Sequence, residues 1–160
     1  MTLRELNRAD DGVAREALFG CCGSKRWVEE MAARRPFESE SALFAAAEAV
    51  WWGLEPVDWL EAFAAHPRIG EKKLSGWASL EQNGLHSAPG EVTAQLAGGN
   101  QEYENRFGWI FLVQAAGKTA AQMLEALSGR LKNTPEEELR LAAGEQAKIT
   151  ELRLKKLLNK

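Results

Sequence analysis

TPEEELRLAAGEQAKITELRLKKLL, running from Thr134 to Leu158, is the stretch whose reading decides the fold. Thr134 suits an N-cap and Pro135 the first helical position, where its missing N–H is not needed; Glu137 completes a capping box. Behind that start, Leu139, Ala142, Ala143, Gln146, Ile149 and Leu157 recur at about 100° per residue, so one face of a long helix is apolar. The helix is predicted to run almost to the end of the sequence.

The same spacing continues upstream. Ala120, Met123, Leu124, Leu127 and Leu131 make another apolar stripe, with Thr119 as its cap. Leu96, Asn100, Tyr103 and Phe107 follow the i, i+4, i+7, i+11 pattern. Earlier stripes are Trp59, Leu60 and Phe63; then Leu43, Phe44, Ala47, Val50 and Trp51; then Trp27, Val28 and Met31. The last of these ends before Arg35-Pro36, where proline disfavours continuation. Strand-like alternation is scarce, and Ile110 to Val113 is the one apolar run that reads as a possible strand. The expectation is an all-α, multi-helix bundle with short connectors, forming a single domain over 1–160.

Composition excludes several classes. With 160 residues, 45% hydrophobic and 27% charged, the chain is an ordinary globular sequence that needs no disulfide or structural metal. A net charge of −3, with Lys and Arg scattered among acids, offers nothing to a nucleic-acid backbone. Apolar runs such as Trp109 to Ala116 fall far short of the roughly 20 residues that span a bilayer. Arg4, Glu5, Arg8, Asp10 and Asp11 break up any signal-peptide core, so a cytoplasmic location is expected. The only cysteines, Cys21 and Cys22, are adjacent, which disfavours a disulfide and fits no zinc or thioredoxin-type spacing. They read as buried or semi-buried thiols.

Familiar catalytic motifs are missing. Gly117-Lys118-Thr119 resembles the end of a P-loop, but the position that must be the loop's first glycine is Leu112. No GxGxxG or GxSxG occurs. The two histidines, His66 and His86, belong to no HExxH or Cys/His cluster, so a protein-built transition-metal site is not expected.

The residues left over permit a different chemistry. His86 lies in the loop-like Gly84-Leu85-His86-Ser87-Ala88-Pro89-Gly90 and reads as a solvated loop residue. His66 ends a helix in His66-Pro67-Arg68-Ile69-Gly70, where Pro67 restricts it to extended backbone and so fixes its ring's direction. It serves either to satisfy free carbonyls at the helix end or to transfer protons near neutrality. Glu81, four residues after Trp77, is either a carboxylate beside an apolar face or an exposed acid on a short helix. Arg153 falls near the centre of the final stripe. There its planar fork of donors either receives a carboxylate or carbonyl, braces a structural ion pair, or snorkels outward. Asn100, inward on its own stripe, reads as a structural hydrogen-bonding residue.

Taken in order, FGCCGSKRWVEEM, HPRIG, SLEQNG, NQEYENRFGWIFLV, AAGKT, MLEALSGRLKN and EQAKITELRLKKL resemble the OHCU decarboxylases, which act on 2-oxo-4-hydroxy-4-carboxy-5-ureidoimidazoline. The fragments span most of the chain. The resemblance implies an all-α fold, usually dimeric, with no metal or organic cofactor. It implies that His66 is the catalytic histidine, that Pro67 lies against substrate, and that Glu81 and Gln82 are the acid–amide pair. It further implies that the backbone of Phe111, Leu112, Val113, Gln114 and Ala115 contacts the ring, and that Arg153 is the late arginine. Two departures stand out: Gln114 where a smaller or different residue is expected, and Ala78 where some members carry serine.

A cofactor-free reaction makes chemical sense for that substrate. The departing carboxylate sits beside a ring C=N bond that accepts the electrons. The protein then has only to orient the substrate, handle a hydroxyl proton and deliver a proton to one face of carbon. The assignment is proton donation by His66, hydroxyl orientation or deprotonation by Glu81, and anchoring by Arg153, giving S-allantoin, with His66 and Glu81 each chemically able to take the other's proton role. Two rivals remain at this level: a helical interaction module using the six tryptophans as an apolar surface, and a hydrolase of a related ureide.

Overall fold

A computed structural model describes residues 1–69, 81 and 90–159. Among these the regular structure is helical, as the stripes require, and no strand is present. The helices are α1 (Leu3–Arg8), α2 (Asp11–Cys21), α3 (Lys25–Ala33), α4 (Glu40–Trp52), α5 (Pro56–Ala64), α6 (Gly90–Phe107), α7 (Ala120–Arg130) and α8 (Pro135–Leu158). None of them is long and apolar enough to cross a membrane. The readings that fell on Trp77, Ala78, Gln82 and His86 lie outside the described residues.

The chain divides into two compact units, Met1–Ala62 with Ala147–Lys160, and Phe63–Gln146. In the first, local capping and buried polar contacts set the helix ends. Thr2 and Glu5 form a reciprocal capping box at α1. Asn7 exchanges two hydrogen bonds with the Phe37 backbone, at 2.9 and 2.8 Å, which ties α1 to the chain leaving α3. The Arg35 guanidinium donates to the Leu6 and Ala9 carbonyls, both at 2.8 Å, and so satisfies acceptors left over at the C-terminus of α1. As expected, α3 stops before Arg35-Pro36, which is a cis peptide bond.

Buried indole N–H groups need acceptors. Trp27 donates to the Ala47 carbonyl at 3.1 Å and Trp59 to that of Trp51 at 2.9 Å. Trp27, Trp51 and Trp59 are buried, and Trp109 is half-buried; among the described tryptophans only Trp52 is exposed, at 37%. The described tryptophans, Trp52 apart, therefore fill the protein rather than coat it. Leu60, read as inward, is exposed at 38%, because α5 turns Trp59, Ala62 and Phe63 inward instead.

Cys21 and Cys22 are free and buried, as expected. Burial pushes both thiols up to about 12, against the partial opposition of the Arg153 charge. A folded-state pKa raised from 9.0 means the native protein holds these protons after the unfolded chain has released its own. Their contribution to stability is therefore intact below pH 9 and is lost as pH rises from 9 toward 12. Urea titrations across that range are expected to show the decline, with a shallower slope in Cys22→Ala. Equal slopes in the two proteins contradict it.

The second unit is built around α6 and α7. Leu96, Asn100, Tyr103 and Phe107 are all buried, which is the predicted stripe. Leu96, Tyr103 and Phe107 pack with Phe111, Val113, Met123 and Leu127. Gly99 faces Leu127 so closely that a Cβ there would sit 2.5 Å from Leu127 Cδ2, so glycine is what lets α6 meet α7. Thr119 caps α7 in a full box with Gln122, and Gly117 (φ 77°) makes the turn before it. The helix-cap reading of Gly117-Lys118-Thr119 holds.

Candidate active site

The residues singled out around His66 and Phe111–Ala115 lie in the second unit. Helix α5 ends at Ala64, and the His66 N–H still bonds the Phe63 carbonyl at 3.1 Å, extending the last turn. Pro67 then forces an extended exit. Two residues of α6, one turn apart, hold Arg68 and Ile69 in place. Asn100 donates to the Ile69 carbonyl at 2.8 Å, the structural role expected of it, and the two Glu104 oxygens accept from Arg68 Nε at 3.1 and 3.0 Å. The His66 ring is half-buried, and its Nε2 lies 2.6 Å from Oε1 of Gln146 on α8.

Phe111 to Ala115 is mostly buried and belongs to no helix or strand. Gly108 (φ 88°) releases it from the end of α6. Buried backbone must find partners, and here side chains and a tight turn supply them. Arg130 donates to the Leu112 carbonyl. Glu145 accepts from the Gln114 N–H at 3.1 Å, and Lys118 Nζ donates to the Gln114 carbonyl at 2.7 Å. The Ala115 carbonyl accepts from the Lys118 N–H at 3.0 Å. Ile110 to Val113, the one run read as a possible strand, is instead irregular backbone, its buried part held by side chains and a turn.

Arg130 is itself held by a buried network. Its Nε and Nη2 lie 2.6 and 2.5 Å from Glu138 Oε1, which also accepts from Tyr103 OH at 2.6 Å. Trp109 Nε1 donates to Tyr103 OH at 3.0 Å, and Asn133 Nδ2 to Glu138 Oε2 at 3.0 Å. The Arg130 guanidinium also sits 4.8 Å from the centre of the Phe111 ring. Burial and the bond to Glu138 hold the Tyr103 hydroxyl above its ordinary range.

Glu81 is helical and buried at 8% exposure, so its inward reading stands over that of an exposed acid. Gln82 lies outside the described residues. Arg153 belongs to the other unit. It is half-buried, and its Nη1 is 3.4 Å from the Gly20 carbonyl at the end of α2. Ala142, Ala143, Gln146 and Ile149 of the expected stripe are buried, together with Glu138, Thr150, Leu154 and Leu158, while Arg153 on the same side of α8 is only half-buried. Among the described residues, no group of three or more His, Cys, Asp or Glu is arranged to hold a metal.

Sequence reasoning missed Gln146, Glu145 and the Arg130–Glu138 pair. Gln146 carried a usable signal, since an amide on an otherwise apolar stripe needs a partner just as Glu81 does. Arg130 and Glu138 carried little, because one reads as a basic residue ending a helix and the other as an acid opening one.

The OHCU decarboxylase family model matches residues 7–155. The chain belongs to the OHCU decarboxylase family. It is 38% identical over 148 residues to the uric acid degradation bifunctional protein TTL of Arabidopsis thaliana, covering 87% of this chain and 45% of that protein. It is 30% identical to the bifunctional PucL of Bacillus subtilis over 96% of this chain and 32% of PucL. The chain thus spans less than half of these two relatives. It is also 29% identical to the 2-oxo-4-hydroxy-4-carboxy-5-ureidoimidazoline decarboxylase of Haloferax volcanii, over 96% of this chain and 94% of that one. Among solved structures, an OHCU decarboxylase crystallised in the presence of (S)-allantoin superposes with a TM-score of 0.82 at 37% identity. That match covers 95% of this chain and 100% of the other. The all-α OHCU decarboxylase fold expected from the sequence is the one found.

Proposed function

We propose that this chain catalyses the cofactor-independent decarboxylation of OHCU to (S)-allantoin in urate breakdown. The observation that carries this reading is the end-to-end likeness to an OHCU decarboxylase solved with (S)-allantoin. The placement of His66 and of Phe111–Ala115 against adjacent residues of α8 supports it. His66 donates the proton to carbon, and Glu81 orients or deprotonates the hydroxyl. Arg153 anchors the anionic substrate, and Pro67 and Gln82 line it. The backbone of Phe111, Leu112, Val113, Gln114 and Ala115 receives the ring. Because the Gln114 N–H is committed to Glu145, the ring contacts fall mainly on its neighbours. Residues 1–160 act as one catalytic domain, which the family match across both units supports. A cytoplasmic homodimer free of metal completes the reading; the free, buried cysteines fit a reducing compartment.

The test is to add purified protein, in the presence of a strong chelator, to freshly generated OHCU and follow circular dichroism and gas release. Rapid formation of (S)-allantoin with carbon dioxide is the expected result. Release of ammonia or urea instead makes the protein a hydrolase, and no change in rate makes it a binding module. Buried tryptophans already weigh against the module.

Arg153 tests the anchoring role separately. Lysine keeps the charge but loses the bidentate fork. Arg153→Lys is expected to raise the KM for OHCU several-fold with little change in Tm. Its bond to Gly20 at the carboxyl end of α2 supplies the opposite outcome, an unchanged KM with a lowered Tm, which makes Arg153 a brace.

A further inference from the structure

Two consecutive residues of α8 hold the two segments to which the chemistry is assigned. Glu145 accepts from the Gln114 N–H, and Gln146, fully buried, meets the His66 ring. With the Gln146 amide oxygen turned toward the ring, the 2.6 Å contact calls for a proton on His66 Nε2, since an amide oxygen only accepts. We propose that Gln146 is the positioning residue of the proposed decarboxylation: it holds the His66 ring in one plane and keeps the proton of the neutral imidazole on Nε2, so that Nδ1 is the working nitrogen, which takes the substrate's hydroxyl proton as carbon dioxide leaves and returns it to carbon while Glu81 orients that hydroxyl.

The inference rests on His66 being the proton-transfer group. A half-buried imidazole without such a partner turns about its Cβ–Cγ bond and interchanges nitrogen and carbon positions. Each such turn takes the working nitrogen away from the substrate. Gln146 suits the task because it projects from the middle of α8, with its side chain enclosed on all sides. An acceptor on a loop, or one exposed to water, would not fix the ring this way. Glu145 gives the neighbouring segment a fixed point on the same turn of helix. The spacing between proton donor and ring-contacting backbone is thereby set by one element.

The experiment uses the whole chain labelled with 15N-histidine, with the His66 signals assigned by their loss in His66→Asn. In the resting protein near pH 8, long-range 1H–15N correlation is expected to show the Nε2–H form, with a directly visible, slowly exchanging Nε2–H proton. Gln146→Met is expected to lose that proton signal and to lower kcat at least about ten-fold with KM within about three-fold, the signature of lost orientation. Gln146→Glu keeps an acceptor and is expected to restore the signal and most of kcat. An Nδ1–H resting form, or a folded Gln146→Met protein with the parent kcat, overturns the proposal. Should Gln146→Met fail to fold, the resting tautomer and the Gln146→Glu protein decide it. An Nε2–H ring held as described in a protein that does not decarboxylate OHCU refutes the proposed function and leaves the ring placement standing.

Discussion

Replacing His66 with asparagine is expected to lower turnover of OHCU by at least about 100-fold, the usual scale for a group that transfers a proton in the rate-limiting step. Asparagine keeps polarity at a half-buried position but cannot give up or take a proton near neutrality. Folding should survive. The main chain at His66 is fixed by Phe63 before it and Pro67 after it, and Arg68 and Ile69 by Glu104 and Asn100, none of which the substitution removes. The check is a pair of measurements on one preparation: initial rate with freshly generated OHCU, and thermal unfolding by circular dichroism. A protein that melts like the parent and turns over like the parent removes His66 from the reaction.

The second large effect concerns stability. Glu138 is fully buried and takes hydrogen bonds from Arg130, Tyr103 and Asn133. Glu138→Leu leaves the Arg130 charge buried without its counter-ion, a defect that costs about 3–5 kcal/mol. For a chain of this size that corresponds to a fall in Tm of roughly 6–20 °C. Removing the charge as well, in Arg130→Met/Glu138→Leu, is expected to recover much of the loss, since a well-packed apolar pair often replaces a buried ion pair without penalty. Activity should not return with it. Arg130 also holds the Leu112 carbonyl, so the double variant refolds around a segment that no longer has its anchor. Recovery of both Tm and turnover would mean that Arg130 is a packing residue only.

The helices were legible where a cap and a stripe coincide. Thr119 and Thr134 each stand before apolar positions at helical spacing, and helices begin after both. Without such a stripe they were not. The buried positions of α2 include Ala14 and Cys21, which are small and carry little periodic signal, and α1 is only 6 residues long. For α1 the Thr2–Glu5 box was there to be read. The candidate site divides the same way. Pro67 marks His66 locally, and Glu81 is marked by its neighbours. Gln146 acquires its meaning from a ring 80 positions away, a contact that no local pattern encodes. Ile110 to Val113 makes the converse point: its apolar, mostly buried character is plain from its residues, but the partner of its Leu112 carbonyl is Arg130, 18 positions away.

The division of the chain has a consequence for how it is made. The first unit is discontinuous: Met1–Ala62 is translated early, but its complement Ala147–Lys160 comes only after all of Phe63–Gln146. At roughly 5–20 residues per second, the early helices wait on the order of ten seconds at the ribosome for the strip that completes their burial. The middle unit, whose chain is continuous, is fully synthesised first. The unit that is begun first is therefore the one completed last. A stalled or truncated nascent chain ending near Gln146 would release Trp27, Leu43 and their neighbours without the last half of α8, in the form that chaperones recognise.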